Sequence, residues 1–472
     1  MRLTRLRWFA TSSLLAGISL GVIAAHTARR PRYGGSLRVE MQEGIASLDP
    51  GVWPADPREA AAKEKLLSLL FDRLTALNES GRAQPRLALS WQHDALFQRW
   101  EFHLRWNVRF TDGDPLTPDS ASAALAALHP DWQTSATANA LVIATPTAQP
   151  DLAEQLASPR NSIAHRAKDG TFGGTGAFHV AAFEPGKRAV FTANEDDWEG
   201  RPFLDQIEVQ MGRAARDQAL DLEVGKADLV EIPPEDSRRI ATRGVSISSS
   251  APVELLALVF EHGRPLAEDS RVREALGRAI DREALWNFLL QKQGEAAGGL
   301  LPQWSSGDAF LFSTAADPSA SKSLWLQISP APSLALGYDS ADELERAVAQ
   351  RIVVNAREAG MNISAQALDH SRATPDARVL RMRMESPSPR AALNGFLFAL
   401  APEAGLDVPP LALGAGPEEI YARERAVVES YRVVPLVSVP EIWGVGPRVK
   451  NWTLSRSAEW RLADVWLAEE AP

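Results

Sequence analysis

Residues 170–210 constrain the fold of this chain more than any other segment, because they alternate turn residues with short apolar stretches. A glycine cluster precedes a predicted strand over 177–183, and a turn at Pro185–Gly186 leads to a second predicted strand over 188–193. A third predicted strand covers 207–210. Three strands this close together predict the core of a β-sheet.

The glycines at 170, 173, 174 and 176 also permit a second interpretation, a phosphate-binding loop. Such a loop needs the N-terminus of a helix directly behind it. The residues that follow, 178–183, alternate with the period of a strand instead. We therefore expect these glycines to let the backbone turn tightly into a strand.

Length and composition indicate a soluble globular protein of two or three domains or lobes. The chain has 472 residues, of which 45% are hydrophobic and 23% are charged, values typical of folded rather than disordered proteins. The formal net charge of −10 argues against a nucleic-acid partner. Cysteine is absent, which excludes disulfides, thiolate metal sites and a cysteine nucleophile.

The N-terminal segment has the charge order of an export signal. Arg2, Arg5 and Arg7 precede an apolar run over 8–25, and a basic stretch followed by an apolar one is typical of secretory signals. The run is also almost long enough for a membrane anchor, although we favour cleavage. Residues 1–28 are therefore predicted to be a signal peptide or an N-terminal anchor.

The sequence contains no pattern typical of an enzyme. The eight histidines form no HExxH motif, and no GxSxG or Walker pattern occurs. His103 and His179 fall in predicted strands, where a structural histidine is the simpler interpretation. Asp196 and Asp197 are neighbours in a loop, and we expect a solvated turn there. We predict no enzymatic activity, no cofactor and no metal site.

Several sequence phrases occur in the order typical of one protein family. Residues 174–178 (GTGAF), 194–198 (NEDDW) and 204–207 (LDQI) follow one another as G-T-G-P-Y, N-x-x-Y-W and L-D-x-I do in that family. Residues 85–119 and 272–282 match two further family phrases. On these motifs the chain resembles the bacterial extracellular solute-binding proteins of family 5, the oligopeptide-, dipeptide- and nickel-binding group of ABC importers.

The resemblance implies an α/β fold of the two-lobed periplasmic-binding-protein type II class, with an extra side subdomain. It covers about residues 34–467, with a shortened region between 394 and 418. Predicted strands at both ends of the chain need partners, so we expect one lobe to combine separated stretches. The predicted division is 34–75 with 172–250 and 436–472 as lobe I, 76–171 as its side subdomain, and 251–435 as lobe II.

The resemblance also implies ligand-binding residues in a cleft between the lobes. In peptide binders of the family, the ligand pairs its backbone with the strand before an L-D-P turn, which implies Gly44, Ile45 and Ala46 here. A plain structural strand is the alternative interpretation of these three residues. The acid that meets the ligand's amino terminus in the family corresponds to Glu385, and Ser386 replaces the tyrosine that follows it.

The function implied is that of a substrate-binding protein, which closes over a small solute such as a peptide and delivers it to an ABC permease in the inner membrane. The absence of the lipidated cysteine of some relatives favours a periplasmic location, either soluble or held by an uncleaved N-terminal helix. The alternative is a membrane-anchored sensor or structural partner that keeps the family's shape and no longer transports. We also expect a monomer without a nucleic-acid partner.

Overall fold

The computed structural model describes residues 31–166, 172–307, 312–368 and 374–469. The predicted signal or anchor over 1–28 lies outside these residues. Within them, no helix combines the length and the apolar character that crossing a bilayer requires.

The strands alternate with helices along most of the chain. In chain order they are β1 (Ser36–Glu40), β2 (Thr75–Leu77), β3 (Ala83–Pro85), β4 (Ala88–His93), β5 (Arg99–Leu104), β6 (Gln133–Ala136), β7 (Ala140–Ala144), β8 (His165–Arg166), β9 (Phe172–Gly173), β10 (Phe178–Glu184), β11 (Arg188–Ala193), β12 (Gln206–Gln210), β13 (Leu229–Glu231), β14 (Ser246–Phe260), β15 (Glu295–Ala296), β16 (Ser333–Asp339), β17 (Asn362–Leu368), β18 (Ala377–Arg383), β19 (Val433–Val445), β20 (Val449–Lys450) and β21 (Trp466–Leu467).

The helices cover both faces of the larger sheet. They are α1 (Pro57–Leu70), α2 (Pro118–Leu128), α3 (Leu152–Gln155), α4 (Ala215–Glu223), α5 (Ser237–Ala241), α6 (Pro265–Glu268), α7 (Ser270–Ala279), α8 (Arg282–Ala284), α9 (Gln303–Ser306), α10 (Pro318–Trp325), α11 (Glu343–Glu358), α12 (Pro389–Ala404) and α13 (Pro417–Glu429).

One large sheet organises the molecule, and two long strands run through its middle. Its order is β10-β11-β12-β1-β13-β19-β14-β18-β16-β17, with β15 added on β19. We call the strands β10, β11, β12, β1 and β13 the first half of the sheet, and the strands β18, β16 and β17 the second half. β19 is antiparallel both to β13 and to β14, and β14 continues into antiparallel pairing with β18. The strands β14 and β19 therefore connect the two halves.

The strands predicted over 177–183, 188–193 and 207–210 are confirmed as β10, β11 and β12 to within a residue at each end. In the second half, β16 and β17 are parallel and α11 connects them. A smaller sheet of order β4-β5-β7-β6 stands apart from the large one. The domain boundaries stated above stay a prediction.

Side-chain caps fix where the helices α1 and α11 begin. The Asp56 carboxylate accepts the Arg58 N–H at 2.7 Å, directly before Pro57 at the first position of α1. The Asp342 carboxylate accepts the Leu344 N–H at 2.9 Å and starts α11 in the same way. Such caps satisfy backbone donors that the first helical turn leaves unpaired.

Gly174 and Gly176 lie against the C-terminal end of α1. A Cβ atom at Gly174 would stand 1.9 Å from the Leu70 carbonyl oxygen, and the Gly176 N–H donates to that same oxygen at 3.0 Å. Neither glycine has a positive φ. The backbone bends at 175–177 directly before β10, and glycine is required at 174 and 176 because two backbones approach closely there. Strand β10 follows instead of a helix, which removes the phosphate-loop interpretation.

Alternation along β14 builds two cores on opposite faces of the sheet. Leu255 belongs to a buried cluster with Leu393 and Phe396 of α12. Its neighbour Leu256 points the other way, into a cluster with Val348 of α11. A strand whose two faces are both covered by helices reads as a continuous apolar run, as residues 253–260 do.

Candidate functional site

A cavity of about 390 Å³ opens beside the strands that connect the two halves of the large sheet. Helix α1 forms one wall and the segment that follows β18 forms another. The rest of the lining comes from Arg73, Val253 and Trp304 and from residues 77–79, 157–159 and 455–461. We call it the Glu64 cavity. On α1 its lining residues are Ala61, Glu64, Lys65 and Ser68, a spacing that places them on one helix face.

A second cavity of about 440 Å³ lies on the other side of α1, and we call it the Glu231 cavity. Ala61 and Lys65 line both cavities. Acidic side chains dominate the second cavity, where Glu43, Glu231 and other carboxylates face Arg58 and Arg381.

A chain of ion pairs stands between the two cavities. The Lys65 ammonium lies 3.2 Å from the Glu441 carboxylate, and the Arg383 guanidinium donates to that carboxylate at 2.8 Å. Further along, the Arg381 Nε donates to Glu254 at 2.8 Å. We call these five residues the ionic partition.

The partition holds the Glu441 carboxylate charged against the effect of burial. Burial opposes ionisation of Glu441, but the adjacent Lys65 and Arg383 outweigh it and lower the pKa of Glu441 to about 2. At Glu231 burial wins, and it raises the pKa of that carboxyl to about 7 even though Lys65 acts in the other direction. At pH 7 Glu441 is therefore firmly ionised, while Glu231 is close to the midpoint of its titration.

The structure brings Glu385 to the Glu64 cavity but does not bring Gly44, Ile45 and Ala46 there. Glu385 is exposed and lines the cavity two residues after the end of β18.

Two backbone groups of the 44–46 segment already form hydrogen bonds within the protein. The Ile45 carbonyl accepts the Gly186 N–H at 2.8 Å, and the Ala46 N–H donates to the Glu59 carboxylate at 2.9 Å. Strand addition at Gly44, Ile45 and Ala46 stays a prediction, and it would require these bonds to be exchanged for bonds to the ligand.

Sequence reasoning missed two residues of the cavity wall, Glu64 and Trp304. Glu64 could have been found, because it and Ser68 are polar residues at i, i+4 spacing on one face of α1. Trp304 carried no such signal. Its ring faces the cavity because its Nε1 donates to the Pro252 carbonyl at 2.6 Å, a contact over fifty-two residues of chain.

Asp197 also differs from the solvated turn expected for Asp196 and Asp197. Asp197 is half-buried, and burial, followed by repulsion from Asp72 and Glu199, raises its pKa to about 7. This site is structural: Asp72 accepts hydrogen bonds from the Thr175 hydroxyl and the Trp198 indole, each at 2.9 Å.

Three side chains, two on the turn between β5 and α2 and one in β8, could offer ligands to a metal ion. Asp112, Asp114 and His165 have ligand atoms within 4.8 Å of one another. None of them lines the Glu64 or the Glu231 cavity, and the Asp112 carboxylate also serves its own turn, where it accepts the Asp114 backbone N–H at 3.1 Å. No such group was found elsewhere in the described residues.

Comparison with known proteins settles the family. Residues 82–399 match the bacterial extracellular solute-binding proteins, family 5. The chain belongs to this family. The resemblance inferred from the sequence phrases is thereby confirmed, and with it a family and a fold of extracellular binding proteins rather than enzymes.

Among family 5 relatives, the nickel-binding protein NikA of Staphylococcus aureus is 24% identical over 242 residues, which are 48% of this chain and 49% of that protein. The nickel-binding periplasmic protein of Escherichia coli is 24% identical over 342 residues, covering 63% of this chain and 65% of that protein. The chain thus spans about half to two thirds of the length of these relatives.

Solved structures of the family share the fold. NikA of Brucella suis in complex with Fe(III)-EDTA has a TM-score of 0.79 at 18% identity, covering 92% of this chain and 100% of that one. The oligopeptide-binding protein AppA of Bacillus subtilis, in complex with a nonapeptide, has a TM-score of 0.71 at 14% identity, covering 93% and 100%. The two-lobed α/β fold expected from the resemblance is therefore confirmed.

Proposed function

We propose that this family 5 protein is the periplasmic substrate-binding protein of an ABC importer. It takes up a small solute, of which a peptide is our first candidate, in the Glu64 cavity and delivers it to a permease in the inner membrane. The observation that carries the proposal is the cavity itself, which lies beside the connecting strand β14 and receives side chains from α1, which packs on the first half, and from the end of β18 in the second half.

The size and lining of the cavity support a small solute. Ligand pockets have volumes of a few hundred Å³ and combine apolar walls with a few placed polar groups. Here Val253, Trp304 and Met384 supply apolar surface, while Glu64 and Glu385 supply charge. The hydrogen bonds of a peptide backbone would have polar partners in this wall.

Mass spectrometry of compounds released from the natively purified protein tests the proposal most directly. We expect a small solute at close to one equivalent, and we expect the recovered compound to bind again in calorimetry. A protein that carries nothing, and that binds no peptide from a random tripeptide library, would contradict a transport role and favour the sensor or structural alternative.

The proposed location has its own test. Residues 1–35, fused to a reporter that is active only outside the cytoplasm, should give activity because the segment has a basic and then an apolar region. A matched fusion with Arg2, Arg5 and Arg7 changed to Glu should lose most of it. An inactive first fusion would contradict the periplasmic location.

A further inference from the structure

The Glu231 cavity receives side chains from both halves of the large sheet. Glu43 follows β1 and Glu235 follows β13, both in the first half. Asp342, in the segment between β16 and α11, and Arg381 of β18 come from the second half. Carboxyl groups of both halves therefore share one cavity of about 440 Å³.

Acidic groups outnumber basic ones around this cavity. Among the described residues, the carboxyl groups that line it are those of Glu43, Glu231, Glu235, Glu254, Asp342, Glu343 and Glu441, and the cationic groups are those of Arg58, Lys65, Arg216 and Arg381. Like charges repel more strongly across a partly enclosed space than in bulk water. An arrangement that brings the two halves together around this cavity therefore concentrates negative charge.

One ion pair already connects the two sides. The Arg58 guanidinium of α1 lies 3.0 Å from the carboxylate of Asp339, the last residue of β16, and 3.5 Å from Glu43. Helix α1 packs on the first half, since its Leu66 belongs to the same buried cluster as Val39 of β1. The contact between Arg58 and Asp339 thus joins the halves and holds the surrounding acidic groups close to one another.

Glu235, which lines the cavity, has a carboxylate oxygen without a hydrogen-bond partner. This oxygen, Oε2, is buried, and none of the residues that the structure describes donates to it. Burial raises the pKa of Glu235; its own backbone N–H and Arg381 act against this, whereas Asp236 and Asp342 act with it. Two of these interacting groups, Arg381 and Asp342, belong to the second half.

Glu43 is affected across the cavity in the same way. Burial raises its pKa, Arg58 lowers it, and Asp56, Asp342 and Asp339 raise it further. Asp339 and Asp342 come from the end of β16 and the segment after it, so separating the halves would admit water and remove part of this repulsion. The charged form of Glu43 is therefore more favourable in an open arrangement than in the arrangement of this structure.

We infer that closure of the two lobes takes up protons on the carboxyl groups of the Glu231 cavity, so that the protein holds its solute more tightly at low pH than at high pH. The inference rests on the function proposed above, in which the lobes close over a solute. It adds a coupling between solute binding and pH, through acidic groups that do not line the Glu64 cavity.

The sign of the effect follows from where each group binds its proton more tightly. A carboxyl group whose pKa is higher in the closed than in the open arrangement favours closure below its open value. This contribution is lost as the pH rises through the higher, closed value.

Spin labels on the protein freed of co-purified solute test the inference, since the chain contains no cysteine of its own. Lys187→Cys, in the exposed turn between β10 and β11, places one label on the first half, and Glu358→Cys, at the exposed end of α11, places the other on the second half. Double electron–electron resonance measures the distance between the labels. From pH 8 to pH 5, we expect the ratio of closed to open molecules to rise by at least about threefold.

Variants of the labelled protein assign the effect to the cavity. Glu235→Gln and Glu43→Gln each remove one titrating group, so each should raise the closed fraction at pH 8 and reduce its dependence on pH. Glu418→Gln, exposed on α13 and outside both cavities, is the matched control and should behave as the labelled parent does. Melting curves at pH 8 check that each variant is folded. Equal ratios at pH 5 and pH 8, or an unaltered pH dependence in both cavity variants, would overturn the inference.

Failure of the inference and failure of the proposed function give different results, because the labels report closure without a solute. Distances that do not depend on pH, in a protein from which a solute is recovered, would overturn the inference and leave the proposed function standing. If no solute is recovered and no tripeptide binds, the proposed function fails, and the effect of pH on solute binding fails with it.

Discussion

Glu385 is the one residue that both the sequence and the structure direct to the cavity. Its neighbour Arg383 is fully committed to the ionic partition, contacting Glu254 and Glu441, whereas the Glu385 carboxylate is exposed to the cavity. Arg383 thus has a structural role, while Glu385, two residues further on, remains available for the recognition role proposed for it.

Replacing Glu385 by Gln should weaken binding of the co-purified solute by about ten- to a hundredfold if that solute is a cation, because a charge-assisted hydrogen bond is lost. Thermal stability should stay nearly unchanged, since no described residue depends on the carboxylate. Titration calorimetry and a melting curve measure both effects. Equal affinities of variant and wild type for a cationic solute would remove Glu385 from the site.

Glu424 is a buried carboxyl group that lines neither the Glu64 nor the Glu231 cavity. Its Oε1 accepts the Leu301 N–H at 2.8 Å, and its exposure is 1%. Burial raises its pKa from 4.5 to about 7, although the hydrogen bonds from Leu301 and Leu300 act against this. The folded protein thus keeps a proton that the unfolded chain releases between these values.

The stability that Glu424 contributes should therefore be complete below about pH 4.5 and lost as the pH rises through about 7. Glu424→Gln keeps an oxygen acceptor without the titration. Between pH 5 and pH 8, we expect its free energy of unfolding to fall less than that of the wild type, by up to about 3 kcal/mol. Urea denaturation at the two pH values checks this, with Glu358→Gln as the control. Parallel pH dependences would contradict the assigned pKa.

Among the helices, α12 contacts through its N-terminal turn the segment that follows the smaller sheet, between β7 and α3. The Arg390 guanidinium donates to the Asp151 carboxylate at 3.0 Å, and both side chains are mostly buried. Close by, the Gly81 backbone packs so tightly on Ser388 that a Cβ atom would stand 2.5 Å from the Ser388 nitrogen. These contacts join parts of the chain that the predicted division assigns to different lobes.

If closure of the lobes uses this contact, Asp151→Asn should weaken ligand binding about fivefold, because a partly buried ion pair of about 1 kcal/mol is lost from the closed arrangement only. Arg390→Gln should have the same effect, and the double variant should be no weaker than either single one. Calorimetry on the wild type, the two single variants and the double variant gives a double-mutant cycle. Additive losses would show that the two residues act independently.

Helices and strands whose apolar residues recur with a clear period could be predicted from the sequence. The boundaries of strands could not be predicted where they depend on pairing with a distant part of the chain. The apolar residues 253–260 indicated a strand, but β14 begins at Ser246, in a serine-rich stretch that is extended because it pairs with β19. Residues of the candidate site could likewise be predicted only where a local sequence pattern marks them. Glu385 follows from a sequence phrase, whereas the pairing of Ile45 with Gly186 depends on a turn 141 residues away in sequence, which local patterns do not reveal.

For the whole molecule, two lobes connected by β14 and β19 predict a hinge. Addition of the co-purified solute should reduce the radius of gyration measured by small-angle scattering, because a ligand stabilises the closed state by its differential affinity. Glu385→Gln at the same solute concentration should show a smaller reduction. An unchanged scattering profile at saturation would contradict the binding-and-release role.

The position of β19 has a consequence for the order in which the molecule can be completed. This strand comes from residues Val433–Val445, near the C-terminus, yet it fills the centre of the sheet between β13 and β14. Until it arrives, both neighbours present unpaired edges. A nascent chain that emerges from a ribosome or a translocation channel therefore cannot complete this sheet until β19 has emerged. Until then the chain lacks the central strand of its fold, so it stays incompletely folded.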